Sequence, residues 1–254
     1  MKKIIFLTLI LLLTYRGGLS RDIGETEILT DEGIEVFQNE KFYLLKKNVR
    51  IVSDNFTLTG NEVKIFFNKD LYDIVDIFAK GNVNLNSPAY NIKSSGKQIY
   101  INIVTEEIKV EGKESKLYLE NVEMFSDGQI IVNNLSGAFQ IIGINSILNS
   151  EDIYITGENI DGIFSTNDQK EIVQLNVNDN QISNIKTDDL DMYSKKAIYN
   201  KKTSIIELFE NVKIIRGSEI ITGDYGTFDT IKNSYKVKSN NTNKVKVVIT
   251  NTDE

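Results

Sequence analysis

The side chains most able to do chemistry in this chain are carboxylates and ammonium groups, because the sequence contains no His and no Cys. Their absence removes the commonest general base and metal ligand, together with every thiolate site and disulfide. Paired carboxylates can cut glycosidic bonds, but no pair stands out from the 36 acidic residues. Asp188, Asp189 and Asp191, and the run Asn176-Val177-Asn178-Asp179-Asn180, carry oxygens of the kind a hard cation takes. Neither group has the Gly and distal Glu of an EF-hand loop or a nonapeptide glycine repeat, and turn chemistry accounts for both. No nucleophile-elbow serine, phosphate loop or dinucleotide fingerprint is present. Three basic clusters remain: Lys46-Lys47 with Arg50, Lys195-Lys196, and Lys201-Lys202. They would either meet the phosphates of an anionic ligand or act as solvated turn charges that blunt sheet edges. The expectation is a protein without catalysis, cofactor or metal.

The elements that must position any site are strands. From Glu27 to Val237 apolar residues alternate with period two, as in Val63, Ile65 and Phe67, or Ile99, Ile101 and Ile103. Such alternation argues for one buried and one solvated face. Asn68-Lys69-Asp70, Ser94-Ser95-Gly96, Ser126-Asp127-Gly128, Asn200-Lys201-Lys202 and Arg216-Gly217-Ser218 read as turns. Strands of about five to seven residues at this spacing predict about 15 to 18 antiparallel strands and no convincing helix. The unit repeats about every 33 residues. Asn48-Val49-Arg50-Ile51 followed by Thr59-Gly60 returns as Asn211-Val212-Lys213-Ile214 followed by Thr222-Gly223. Intermediate copies begin near Asn82-Val83, in a degenerate stretch around Glu114 to Val122, at Asn145, and at Val177-Asn178. A period of this size implies units that bury their apolar faces only against neighbours.

The 254-residue chain is long enough for one large all-β domain. Lys2 and Lys3, the apolar run Ile4 to Leu13, and Gly17-Gly18-Leu19-Ser20 read as a secretion signal over 1–20. The rival is an uncleaved inner-membrane anchor, although the run falls short of the ~20 residues that span a bilayer comfortably. Cleavage would remove three cations and take the formal charge from −7 to −10. A chain this acidic is a poor nucleic-acid binder. Residues 27–237 form one elongated domain, with a possible sub-domain junction near 137–150. Residues 238–254 are a polar tail, within which Lys244 to Thr250 would either add a strand or stay extended.

Ala79-Lys80-Gly81-Asn82-Val83, restated at Glu210-Asn211-Val212, and the opening stretch Ile28-Leu29-Thr30-Asp31-Glu32-Gly33-Ile34-Glu35 resemble the lipopolysaccharide-transport periplasmic proteins of the OstA-like, LptA/LptC type. The resemblance covers 27–125 and 190–237 well, and 126–189 by repeat spacing only. It implies an all-β, elongated antiparallel β-jellyroll, an open and slightly twisted stack of two sheets, whose apolar interior holds lipid A acyl chains. It also implies a periplasmic location. Its implied partners are lipopolysaccharide, the inner-membrane ABC export complex and the outer-membrane translocon, met by strand-edge pairing, with a head-to-tail homo-oligomer possible. The inward residues that would face lipid are Val49, Ile51, Phe56, Leu58, Ile65, Phe67, Ile77, Val83, Ile101, Val212 and Ile214. Each would equally serve as ordinary core. The alternatives are an inner-membrane-anchored component of the same system, a β-repeat surface protein that binds no lipid, and a glycan-processing solenoid.

Overall fold

Alternating apolar residues produce strands throughout. The computed structural model describes residues 24–69, 73–151, 153–167, 170–240 and 243–250. The predicted secretion signal lies outside these. The strands are β1 (Glu27–Leu29), β2 (Ile34–Phe37), β3 (Phe42–Val52), β4 (Thr57–Phe67), β5 (Ile74–Ser87), β6 (Ile92–Asn102), β7 (Glu107–Glu111), β8 (Ser115–Leu119) and β9 (Val122–Ser126). They continue as β10 (Gln129–Asn133), β11 (Ala138–Asn149), β12 (Tyr154–Phe164), β13 (Ile172–Lys186), β14 (Asp191–Asn200), β15 (Ile205–Arg216), β16 (Glu219–Asp229), β17 (Ser234–Lys238) and β18 (Lys246–Ile249). Among the described residues, helical structure is limited to the single 3-10 turn Pro88–Tyr90. The range 137–150 is occupied by β11, and the tail contributes β18, which pairs with β16.

Among the described residues, all 18 strands belong to one antiparallel sheet in which the long strands β3 to β6 and β11 to β16 each pair with the next in sequence. Many are longer than the five to seven residues expected, β13 reaching 15. The reason is a bulge near the middle of each long strand, which bends it so that one strand serves both layers of a folded-over sheet. Where the bend is sharper the strand is interrupted: β7 and β8 both pair with β6, and β9 and β10 both pair with β11. The two layers enclose one apolar core that includes Leu45, Leu58, Val63, Ile99, Leu117, Ile141, Ile155, Val177, Met192 and Leu208. The architecture is all-β, an antiparallel jellyroll closed along the corner where the bulges stack and lipped along the other side by hairpin turns.

The 33-residue repeat marks the corner. Asn48, Asn82, Glu114, Asn145 and Asn211 all take left-handed backbone angles, with φ between 51° and 61°. Asn tolerates this region better than most residues. In three copies the bulge is small: Lys46 and Val49 are three positions apart where their partners Glu62 and Gly60 are two apart, and the pairs Lys80/Val83 and Phe209/Val212 show the same offset. Val49, Val83 and Val212 fill these corners and are buried.

The middle copies carry wider bulges. Ile142 and Ser146 are four positions apart opposite Asn159 and Gly157, which are two apart, and Asn178 and Ser183 are five apart opposite Lys196 and Ser194. At these corners a serine takes the valine's place, and its hydroxyl satisfies a nearby backbone carbonyl. The hydroxyls of Ser115, Ser146 and Ser183 donate to the carbonyls of Gly112, Gly143 and Ser194, each at 2.7 Å. Ser126 adds a bond to the Ile142 carbonyl at 2.7 Å and lies 3.1 Å from the Ser146 hydroxyl. All four serines are fully buried. The backbones pass so closely here that a Cβ on Gly128 would stand 2.3 Å from the Ile142 oxygen. On the outside of the same corner Asp127 accepts from the Glu114 N–H at 3.1 Å and the Asn145 amide at 3.0 Å. Those bonds, Asn145 foremost, hold its carboxyl below the usual range.

Candidate functional site

Opposite the corner, the hairpin turns form two lips. The first lip contains the turns at 53–56, 88–91, 120–121, 150–153 and 187–190, closed by bonds such as Ser150 N–H to the Ile153 carbonyl and Thr187 N–H to the Leu190 carbonyl, both 2.9 Å. The second lip contains the turns at 103–106, 134–137, 201–204 and 230–233, with the Ser165 N–H bonded to the Glu171 carbonyl beside them. Between the lips the interior opens to solvent as a mouth, and it does so unequally.

Over the half of the domain built from β12 to β16 the mouth is a cleft of about 510 Å³. Val122 and Ile153 line it from the first lip, and Ile172, Leu175, Tyr199, Ile206 and Phe228 from the second. Its rim is polar: Asn121, Glu151, Asp188 and Asp189 on one side, Lys170, Glu171, Lys201 and Asn233 on the other. Lys201 is ion-paired with Glu171, and the Lys170 ammonium donates to the Asn134 side-chain oxygen at 3.2 Å. Burial pushes the Tyr199 hydroxyl pKa up. The Asn233 amide donates to the Asp189 carboxylate across the mouth at 3.0 Å. Over the other half the mouth narrows to about 80 Å³, walled by Phe56, Leu85, Tyr90, Ile92, Ile101, Ile103 and Ile108.

Of the eleven residues singled out in the sequence, ten lie in the buried core: Val49, Ile51, Leu58, Ile65, Phe67, Ile77, Val83, Ile101, Val212 and Ile214. Phe56 is half-buried and packs against it. Phe56 and Ile101 border the narrow half of the mouth. Val49, Val83 and Val212 lie at the corner, farthest from solvent along the fold. The wide cleft is lined by none of the eleven; its apolar residues sit near where a strand meets its hairpin turn. Of the basic clusters, Lys201 reaches the rim, whereas Lys46, Lys47, Lys195 and Lys196 flank the corner bulges. Among the described residues no group of three or more acidic side chains is arranged to hold a metal ion, and no helix is long and apolar enough to cross a membrane.

The sheet ends in two unlike edges. At one, β1 and β2 pair only with β3 among the described residues and expose Leu29, Ile34 and Val36 beside Asp31, Glu32 and Glu35. At the other, β17 and β18 pair only with β16 among the described residues. Every residue of β18 is exposed, Ile249 by 66%, and Lys236, Lys238, Lys244 and Lys246 surround it.

The chain is thus a lipped jellyroll with an apolar cleft and two sheet edges of unlike charge. Residues 32–234 match the model of the family described as LptA/(LptD N-terminal domain) LPS transport protein. The chain belongs to this family of lipopolysaccharide-transport proteins. No curated protein matches the chain significantly. Among solved structures it is similar to LptH, the LptA-homologous periplasmic component of the lipopolysaccharide transport device from Pseudomonas aeruginosa, at 8% identity over 89% of this chain and 96% of that one. The TM-score is 0.23, so the family assignment rests on the family match alone.

Proposed function

We propose that this protein is a non-catalytic periplasmic carrier of lipopolysaccharide and forms part of the bridge between the inner and outer membranes. The observation that carries the reading is the wide cleft, whose floor is apolar and whose rim is polar, in a chain of this family. Acyl chains would lie between the layers against Ile153, Ile172, Leu175, Ile206 and Phe228 while the phosphorylated sugar stays at the rim. Burial is worth ~0.8 kcal/mol per methylene, so each carrier must offer nearly the same gain as the next or the lipid would stall. Nine of the eleven inward residues would form the deeper wall, while Phe56 and Ile101 border the narrow half of the mouth.

The two edges would supply the joints. Unpaired strand edges are templates for strand addition. The acidic β1–β2 edge and the basic β17–β18 edge favour pairing of unlike ends, whether with a second copy or with edges of the inner-membrane export complex and the outer-membrane translocon.

Photo-crosslinking tests the reading. A photoreactive phenylalanine analogue at Phe228 is expected to label lipopolysaccharide in cells, and one at outward-facing Phe78 is not. Absence of label at Phe228 and at Ile172 in a folded protein would refute it.

A further inference from the structure

We propose that Asp189 and Asn233 form a removable crossbar over the wide half of the mouth, which a lipid headgroup must break to load or move along it. The inference rests on the lipid-carrier reading. An amphiphile with its chains between the layers and its sugar in water projects through the mouth, so any bond joining the lips stands in its path. Asn233 and Asp189 belong to opposite lips and meet at 3.0 Å directly over the apolar floor.

Both ends of the crossbar are braced. Asn233 takes φ 48° at the close of the turn 230–233, and that turn is tied down by the Asp229 carboxylate, which accepts the N–H groups of Ile231 and Lys232 at 3.1 and 2.9 Å. An ion pair from Lys232 to Asp229 at 3.1 Å adds to this. Asp189 sits in the turn closed by Thr187 and Leu190, and the Leu190 side chain is anchored in the core. The bond is a single exposed amide–carboxylate contact, strong enough to hold empty lips together and weak enough for a ligand to displace.

Unlike a structural bond, a crossbar acts on rate. Cutting it in Asp189→Ala should speed uptake of purified lipopolysaccharide by about two- to tenfold, the factor that one such hydrogen bond represents. Asp189→Asn retains an acceptor oxygen and should load at close to the parental rate, with both variants melting as the parent does. The sequence has no Cys, so Asp189→Cys with Asn233→Cys can be bridged selectively by a reductant-cleavable bis-methanethiosulfonate. The bridged protein should lose at least nine-tenths of its labelling through a photoreactive analogue at Phe228, and reduction should restore it. Equal labelling of bridged and reduced protein would overturn the crossbar while leaving the carrier reading intact. No labelling in any form, the parent included, would overturn both.

Discussion

Replacing Ser146 by Val would give the fourth repeat the residue that the first, second and sixth copies carry at the same place, Val49, Val83 and Val212. On sequence grounds the change restores a consensus and should stabilise. The structure argues the opposite. Ser146 is fully buried, and its hydroxyl donates to the Gly143 carbonyl at 2.7 Å and lies 3.1 Å from the Ser126 hydroxyl. Valine removes both contacts, leaves the partly buried Gly143 oxygen without the Ser146 donor, and places two methyl groups where one hydroxyl fitted. A lost hydrogen bond costs about 1 kcal/mol and a stranded buried acceptor about 1–3 kcal/mol, while crowding adds to both. The sum is about 2–4 kcal/mol, which lowers the urea midpoint by about 1 M at ordinary m-values. The assay is equilibrium urea unfolding of Ser146→Val, with Ser146→Ala as the variant that loses the hydroxyl without crowding and should cost about 1–3 kcal/mol. If Ser146→Val proves as stable as the parent, the wide bulge does not need its serine and the account of the corner is wrong.

Three further outcomes are expected. The Tyr225 hydroxyl donates to Glu207 at 2.6 Å, and this bond, with partial burial behind it, pushes its pKa up to about 12. Because the folded value lies above the unfolded value of about 10, the stability contributed is full below pH ~10 and is lost as pH rises through about 12. Tyr225→Phe should flatten the alkaline limb of a pH–stability curve measured by chemical unfolding. Association through the edges, if acidic β1–β2 meets basic β17–β18, should weaken as ionic strength rises toward ~1 M, where screening is nearly complete over ~3 Å; sedimentation that does not change with salt would exclude charge as the guide. A cleaved signal predicts that mass spectrometry of the periplasmic protein finds an N-terminus near residue 21, whereas intact Met1 would indicate the anchored form.

The strands were legible because half-buried strands leave a period of two, and Val63, Ile65 and Phe67 sit in the core as that period requires. Strand length was not. Asn48, Asn82 and Asn211 look like hairpin turns locally, and only pairing of residues on both sides of each with one neighbouring strand reveals a bend within a continuous strand. The middle copies looked degenerate because Ser115, Ser146 and Ser183 replace valine; their role depends on backbone carbonyls that only the folded corner brings within reach. The floor of the cleft was hidden for a related reason. Tyr199 continues the alternation of Ala197 and Phe228 that of Gly226, Ile172 falls out of step with Leu175 at an irregularity in β13, and nothing in a strand says whether the facing layer covers its end.

What decides coverage is the corner. In front of the narrow mouth, β3 and β5 turn with a bulge of one extra residue. Behind the wide cleft, β13 turns with three extra residues and β15 with one, and β11 at its border turns with two. Each added residue lengthens the backbone between the layers, by up to about 3.3 Å when extended, and so sets how far their lips can stand apart. At the corner of β11 the Ser146 hydroxyl satisfies the Gly143 carbonyl within the bulge, and at that of β13 the Ser183 hydroxyl reaches the Ser194 carbonyl of the facing strand. The widest corner, that of β13, stands behind the wide cleft, while β3 and β5 turn with one extra residue behind the narrow half.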